Sequence, residues 1–142
     1  MKNSWIIPCN LKLFDVFEHM KSHDTMIWKK SRGIKNGDIV YIYVGLPVMA
    51  VKYRCVVIDD AVNDEILSAN SYARINDIEK NNMYMQLKVL NTYEDELPLR
   101  VLNDFGIYRV RRQSRLDRRF ENFLESINKN IKQNEEENLC RK

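Results

Sequence analysis

Apolar and polar positions alternate most clearly between residues 39 and 58. Ile39, Tyr41 and Tyr43 fall on one side of an extended chain and Val40, Ile42 and Val44 on the other. Both faces are apolar, so the spacing predicts a central strand. Gly45-Leu46-Pro47 reads as a turn, and residues 49–58 resume the alternation. Met49, Val51, Tyr53, Cys55 and Val57 share one side, with Lys52 and Arg54 among those opposite, as in a hairpin partner whose second face carries cations. Ahead of this pair, residues 4–9 read as a first strand. Leu13, Val16, Phe17 and Met20 recur at helical spacing, predicting a helix from Leu11 to about Lys21 with Asn10 as a candidate cap. Met26-Ile27-Trp28 reads as a short strand or extended arm.

Beyond the hairpin, the acidic stretch from Asp59 to about Lys80 reads as a small helix or loop excursion. A period-two face returns at Met83, Met85, Leu87 and Val89, predicting another long strand. Pro98 can open a short helix that runs through Asp104 and stops at Gly106. Ile107 to Val110 is expected as a final strand. Leu116, Phe120, Phe123, Leu124, Ile127 and Ile131 make a helical stripe, and a polar tail follows that is expected to fray. Consecutive strands bracketed by helices favour the α+β class, with a curved, mostly antiparallel, barrel-like sheet flanked by short helices and a C-terminal helix. A single domain is expected over residues 1–131, with 132–142 as the tail.

Composition narrows the class without changing this picture. The 142 residues are 44% hydrophobic and 30% charged, which suits one domain with a real core. No apolar run approaches the roughly 20 residues that span a bilayer, and the apolar stretch after Met1-Lys2-Asn3-Ser4 is too short for a signal peptide. The expectation is a cytoplasmic protein without a membrane partner. Cys9, Cys55 and Cys140 offer neither a disulfide framework nor a zinc knuckle, and read as reduced structural thiols. The net charge of +3 is unevenly spread. Residues 1–56 hold nine Lys or Arg against four Asp or Glu, residues 57–105 four against ten, and residues 106–142 ten against six. The two basic thirds either converge on one face that attracts a polyanion or are two separate solvated surfaces.

The residues for catalysis do not assemble. His19 and His23 have a helical metal-ligand spacing, but no Glu follows the first and no third ligand is apparent. Gly33, Gly37 and Gly45 fit neither the Walker nor the dinucleotide pattern, and there is no Gly-x-Ser-x-Gly elbow. Cys9 lies in an apolar strand, and the acidic clusters at Asp59-Asp60 and Glu94-Asp95-Glu96 read as solvated turns. The expectation is a binding module rather than an enzyme, with no metal and no cofactor.

What remains is aromatic and basic. Trp5 opens the first strand, and Trp28 precedes a cluster of cations and the run Lys35-Asn36-Gly37-Asp38-Ile39-Val40-Tyr41-Ile42-Tyr43. An aromatic beside cations, followed at once by a strand, can build a pocket with a flat apolar wall and a positive rim. Such a pocket suits a nucleobase on a phosphate chain.

The order of these segments resembles the EVE-type domains of the PUA-like superfamily. The resemblance rests on Ser4-Trp5-Ile6-Ile7-Pro8-Cys9-Asn10, on Trp28-Lys29-Lys30-Ser31-Arg32, on Asn36 to Tyr43, and on Val110-Arg111-Arg112-Gln113-Ser114-Arg115-Leu116 leading into the last helix. It covers about residues 4–127. It implies a small curved β-barrel whose pocket takes a modified nucleobase, flipped out and held against aromatic walls with cations on the backbone. The implied partner is DNA or RNA, carrying for example a methylated base. Because related domains are fused to nucleases in restriction systems, a separate nuclease or other effector is a further implied partner. On this resemblance Trp28 is the stacking wall, while Lys29, Ser31 and Arg32 meet phosphates or base edges. Pro8 and Asn10 line the opposite side, Tyr43 forms the floor, and Gln113, Ser114 and Arg115 close the pocket. Several positions keep a second reading: Trp5 and Tyr43 as core, Asn10 as a helix cap, and Arg111, Arg112, Arg115, Arg118 and Arg119 as the wet face of the last helix. Two alternatives stand beside nucleic-acid binding. One is a module docking an acidic protein; the other is a small PUA-like hydrolase, for which no Lys, Thr and Glu set can be assembled.

Overall fold

Ile39–Val44 (β3) takes the central place that its two apolar faces require. Val40, Ile42 and Val44 point into one hydrophobic cluster and Tyr41 and Tyr43 into another, so the sheet is packed on both sides. The computed structural model describes residues 2–63 and 83–140. Around β3 lie β1 (Ser4–Cys9), β2 (Thr25–Lys30), β4 (Ala50–Asp59), β5 (Met83–Thr92) and β6 (Ser114–Arg115). The helices are α1 (Val16–Met20), α2 (Leu99–Asn103) and α3 (Arg118–Cys140). The strand order is β2-β5-β4-β3-β1-β6. Only the β1–β3 pair among these is parallel; the others run antiparallel. Register shifts at Ile42/Tyr43, Arg54/Cys55 and Val57/Asp59 mark bulges. Bulges add local twist, and the sheet curls into an α+β half-barrel.

The first cluster gathers Ile7, Ile42, Cys55 and Met85 under α1, with Phe14, Phe17 and Trp28 packed at its margin. On the other face Ile6, Tyr41, Tyr93 and Leu102 meet the α3 stripe through Phe120 and Leu124. The Tyr93 hydroxyl donates to Asn128 Oδ1 and fastens that helix to the sheet. Phe105, from the turn after α2, packs its ring at a tilt against Phe120 and Phe123, with centroids 4.8 and 4.7 Å away.

Three local expectations change. The helix expected from Leu11 starts only at Val16, because Asn10 does not cap it. Its Oδ1 instead accepts from Lys12 N at 3.0 Å, and the Asn10 carbonyl accepts from Leu13 N and Phe14 N, which makes residues 10–14 a turn. Asp15 is the cap, with Oδ1 accepting from Glu18 N at 3.2 Å. Residues 107–110 are not a strand. Gly106 turns the chain at φ +82°, Ile107 N bonds back to Leu102 O, and the edge of β1 is met instead by Ser114 and Arg115, with Leu116 N donating to Ser4 O at 2.8 Å. Most of the acidic excursion, from residue 64 to 82, lies outside the described residues. At the C-terminus the α3 backbone stays helical as far as Cys140.

Two polar groups fix this arrangement. Asp38 is only 2% exposed. Its Oδ1 accepts from Asn3 N at 3.1 Å, and its Oδ2 accepts from Trp5 Nε1 and Lys35 N at 3.0 Å each. Among the described residues the only ion pair joins Lys21 to Glu18, so three N–H donors stabilise this buried carboxylate in place of a cation. The turn just before it needs Gly37 at φ +88°, a region open to glycine, and Gly37 N reaches Val57 O at 2.8 Å. The second group is Gln113. Its Nε2 donates to Lys29 O at 2.6 Å and its Oε1 accepts from Ser31 N at 2.8 Å. A neighbouring strand would engage these same two backbone groups, so one side-chain amide takes the place of a strand between β2 and the segment leading into β6.

Asp38→Asn is expected to cost about 1–3 kcal/mol in urea unfolding, since an amide NH2 then faces buried donors. Gln113→Glu should cost a similar amount at neutral pH, because one carboxylate oxygen then opposes the Lys29 carbonyl. The protonated form of the introduced carboxyl can donate to that carbonyl, so folding raises its pKa. The deficit is therefore largest above that pKa and shrinks as the pH falls through it, read as converging urea midpoints of variant and parent in mild acid.

Candidate functional site

Where the curled sheet fails to close, a cleft of about 380 Å³ opens. Ile7 and Pro8 of β1 form one side, Trp28 to Ser31 of β2 and its end form another, and Arg111, Arg112 and Gln113 form the third. Gln113 sits at the seam, and both ends of its amide are committed to the β2 backbone. Trp28 shares a face of β2 with buried Met26, two residues before it, which turns its indole toward the first core cluster. Phe14 meets it edge to face, 5.5 Å between centroids and 72° between planes. The ring is half-buried, lines the cleft, and its N–H makes no hydrogen bond among the described residues.

The rim is positive. Lys29, Arg111 and Arg112 are exposed, and none has an acid within ion-pair distance among the described residues. Lys30 is different: its ammonium donates to Ser31 O at 3.2 Å and to Ile34 O at 2.8 Å, holding the loop after β2. Arg119 is also engaged, its guanidinium lying 5.1 Å from the Phe105 ring centroid.

The fold distributes the residues singled out in the sequence over three neighbouring hollows. Pro8, Trp28, Lys29, Ser31 and Gln113 line the cleft. Asn10 and Tyr43 line a second cavity of about 320 Å³ that shares Pro8 with it. Tyr43 is buried in the second core cluster, on the other face of the sheet from Trp28, and so does not floor the Trp28 cleft. Ser114 and Arg115 line a furrow of about 190 Å³ beside residues 106–110. Arg32 is exposed and lines none of the three. Trp5 has a structural post, its indole N–H held by Asp38. Arg111 and Arg112 belong to the cleft although the sequence leaves them open as part of a helix face. The helix starts only at Arg118, after Asp117 Oδ1 accepts from Phe120 N at 2.9 Å. That Asp, in capping position ahead of the apolar stripe, is the signal that would have excluded them from the helix.

Chemically, the cleft offers a flat wall and cations, a set that can hold a planar ring carrying an anionic group. The thiols are poor nucleophiles. Burial pushes Cys9 up to about 11 and raises Cys55 further. His19 is lowered by burial, stacks on His23 at 4.3 Å and lies 2.6 Å from Thr25 O through Nε2. Among the described residues no group of three or more His, Cys, Asp or Glu side chains is placed to hold a metal. No helix among them is long and apolar enough to cross a membrane.

No family model matches the chain, and no curated protein matches it either. Solved structures do. A hypothetical protein from Leishmania major is similar at TM-score 0.63 and 14% identity, covering 93% of this chain and 98% of its own. Human THYN1, determined in complex with DNA containing 5-methylcytosine, is similar at 0.62 and 13% identity, over 89% and 97%. A single-site mutant of the ASCH protein from Zymomonas mobilis is similar at 0.61 and 11% identity, over 89% and 96%. At these identities the likeness is one of fold, and it spans nearly the whole of each chain. The architecture of the described residues, a curled six-stranded mixed sheet with three helices, is the PUA-like fold.

Proposed function

We propose that this protein is an EVE-type nucleic-acid-binding module that takes a single, flipped-out and modified base into the Trp28 cleft. One observation carries the reading: in an open cleft of about 380 Å³ a half-buried indole lies beside three exposed cations, and among the described residues its N–H makes no hydrogen bond and the cations no ion pair. The volume falls at the low end of the range for small-ligand sites, suited to one planar ring. Trp28 stacks on the base, and Lys29, Arg111 and Arg112 take the flanking phosphates. A methyl group on that base would gain roughly 0.8 kcal/mol from burial against Ile7 and Pro8, so discrimination through the methyl alone is modest. The likeness of fold to THYN1, which was determined with 5-methylcytosine DNA, supports the choice of ligand class. The same module would act beside a separate effector.

Trp28→Ala is expected to weaken binding of a short oligonucleotide with a central 5-methylcytosine about tenfold by fluorescence anisotropy, the loss of one stacked base. Because the ring also packs against the core, thermal melting of the variant must show it folded at the assay temperature. Equal affinity of folded variant and parent would refute the reading. Each phosphate contact adds roughly −0.7 to the log–log salt slope on single strands, so the double variant Arg111→Ala, Arg112→Ala should make the slope shallower by roughly 1.4. An unchanged slope would remove both arginines from the interface.

A further inference from the structure

A second hollow lies along the same segment. Between Gly106 and Gln113 the chain follows no ladder, and Ile107 and Val110 are the residues that anchor it to the second core cluster. Tyr108, Arg109, Arg111 and Arg112 are thereby turned outward. Tyr108 is 67% exposed and is the one aromatic among the exposed large apolar side chains of the described residues. It makes no hydrogen bond or ring contact among them. It edges the furrow of about 190 Å³ together with Arg109 and Arg115, over a floor that includes Ile6 and Leu116. Both arginines are exposed and neither is in an ion pair among the described residues. Residues 105–116 hold no acid; of the two that flank them, Asp104 ends α2 and Asp117 accepts from Phe120 N through its Oδ1.

We infer that this furrow is a second nucleotide subsite, in which the base next to the one in the Trp28 cleft stacks on Tyr108 while Arg109 and Arg115 hold its phosphate. The inference rests on the reading of the Trp28 cleft and deepens it, because it names the ligand as single-stranded nucleic acid. A base flipped from a duplex leaves its neighbours stacked in the helix, whereas two adjacent subsites each need an unstacked base. The span fits. Gln113 lines the cleft and Ser114, the next residue, lines the furrow, as Ile7 and Ile6 do on β1, so the two hollows meet around the β1–β6 edge, within reach of adjacent nucleotides on a flexible strand. The charge fits as well, with Arg109, Arg111, Arg112 and Arg115 forming a track that joins cleft and furrow without an acidic interruption.

The test is a binding cycle by fluorescence anisotropy. Parent, Tyr108→Ala, Tyr108→Phe and Trp28→Ala are each titrated with a single-stranded 9-mer bearing a central 5-methylcytosine. A second 9-mer has abasic sites on both sides of that base, and a third probe is the duplex. Tyr108→Ala should bind the intact strand about tenfold more weakly and the doubly abasic strand like the parent, with Tyr108→Phe restoring the intact-strand affinity. The parent should prefer the single strand to the duplex. If Tyr108→Ala matches the parent on the intact strand while Trp28→Ala does not, the furrow is overturned and the cleft stands. Preference for the duplex, or an equal Tyr108→Ala loss on the abasic strand, also overturns it. Failure of the parent to bind any of the three probes ends both.

Discussion

A sheet that curls without closing has two edges to manage, and here they are brought together by a side-chain amide. β2 and β6 stand at opposite ends of the strand order. Gln113 lends β2 one donor and one acceptor, aimed at Lys29 O and Ser31 N. A full strand at that place would have zipped the barrel shut and left no cleft. Without any partner, the backbone groups at the end of β2 would form an open edge, which invites pairing with other chains. A single amide satisfies the edge at one point and leaves the space above it open. The cleft is therefore a consequence of how the barrel is closed, and its three sides are the three segments that meet at the seam.

The wall of that cleft depends on a second constraint farther back. Asp38 draws the start of β1, the Trp5 indole and the turn before β3 onto one carboxylate. That fixes β1 parallel to β3, and with it the positions of Ile7 and Pro8 opposite Trp28. Its three bonds are all donated by N–H groups, so the carboxylate is held by geometry more than by charge. The two tryptophans thus have different duties. Trp5 has its polar atom tied into the frame, whereas the N–H of Trp28 is left unused among the described residues and its ring is divided between core and cleft.

How much of this was legible in the sequence follows from the range of each signal. The central hairpin, the long strand from Met83, the short helix after Pro98 and the α3 stripe all appear where periodicity placed them, since each is written in contiguous residues. Expectations failed where a local polar group outcompeted a pattern. Asn10 spent its side chain and carbonyl on a turn and delayed α1, and the turn at Gly106 left Ile107 to Val110 without a ladder. The candidate cleft was legible in part. Pro8, Trp28, Lys29, Ser31 and Gln113 do share a cleft, but Tyr43 went to the opposite face and Arg32 to open solvent.

Taken by itself, the sequence determined the α+β class, the apolar faces of the central strands, and the presence of one aromatic among basic neighbours. These follow from spacing of two and of 3.6 residues, which sort side chains by face wherever the chain ends up. Which face meets which, and where the sheet stops, was decided by the tertiary structure. Trp28 and Gln113 are far apart in the chain and carry no mark of each other. Only the curl imposed by bulges and two packed faces brings them to one seam, because edge pairing is a long-range contact whose partner no local pattern specifies.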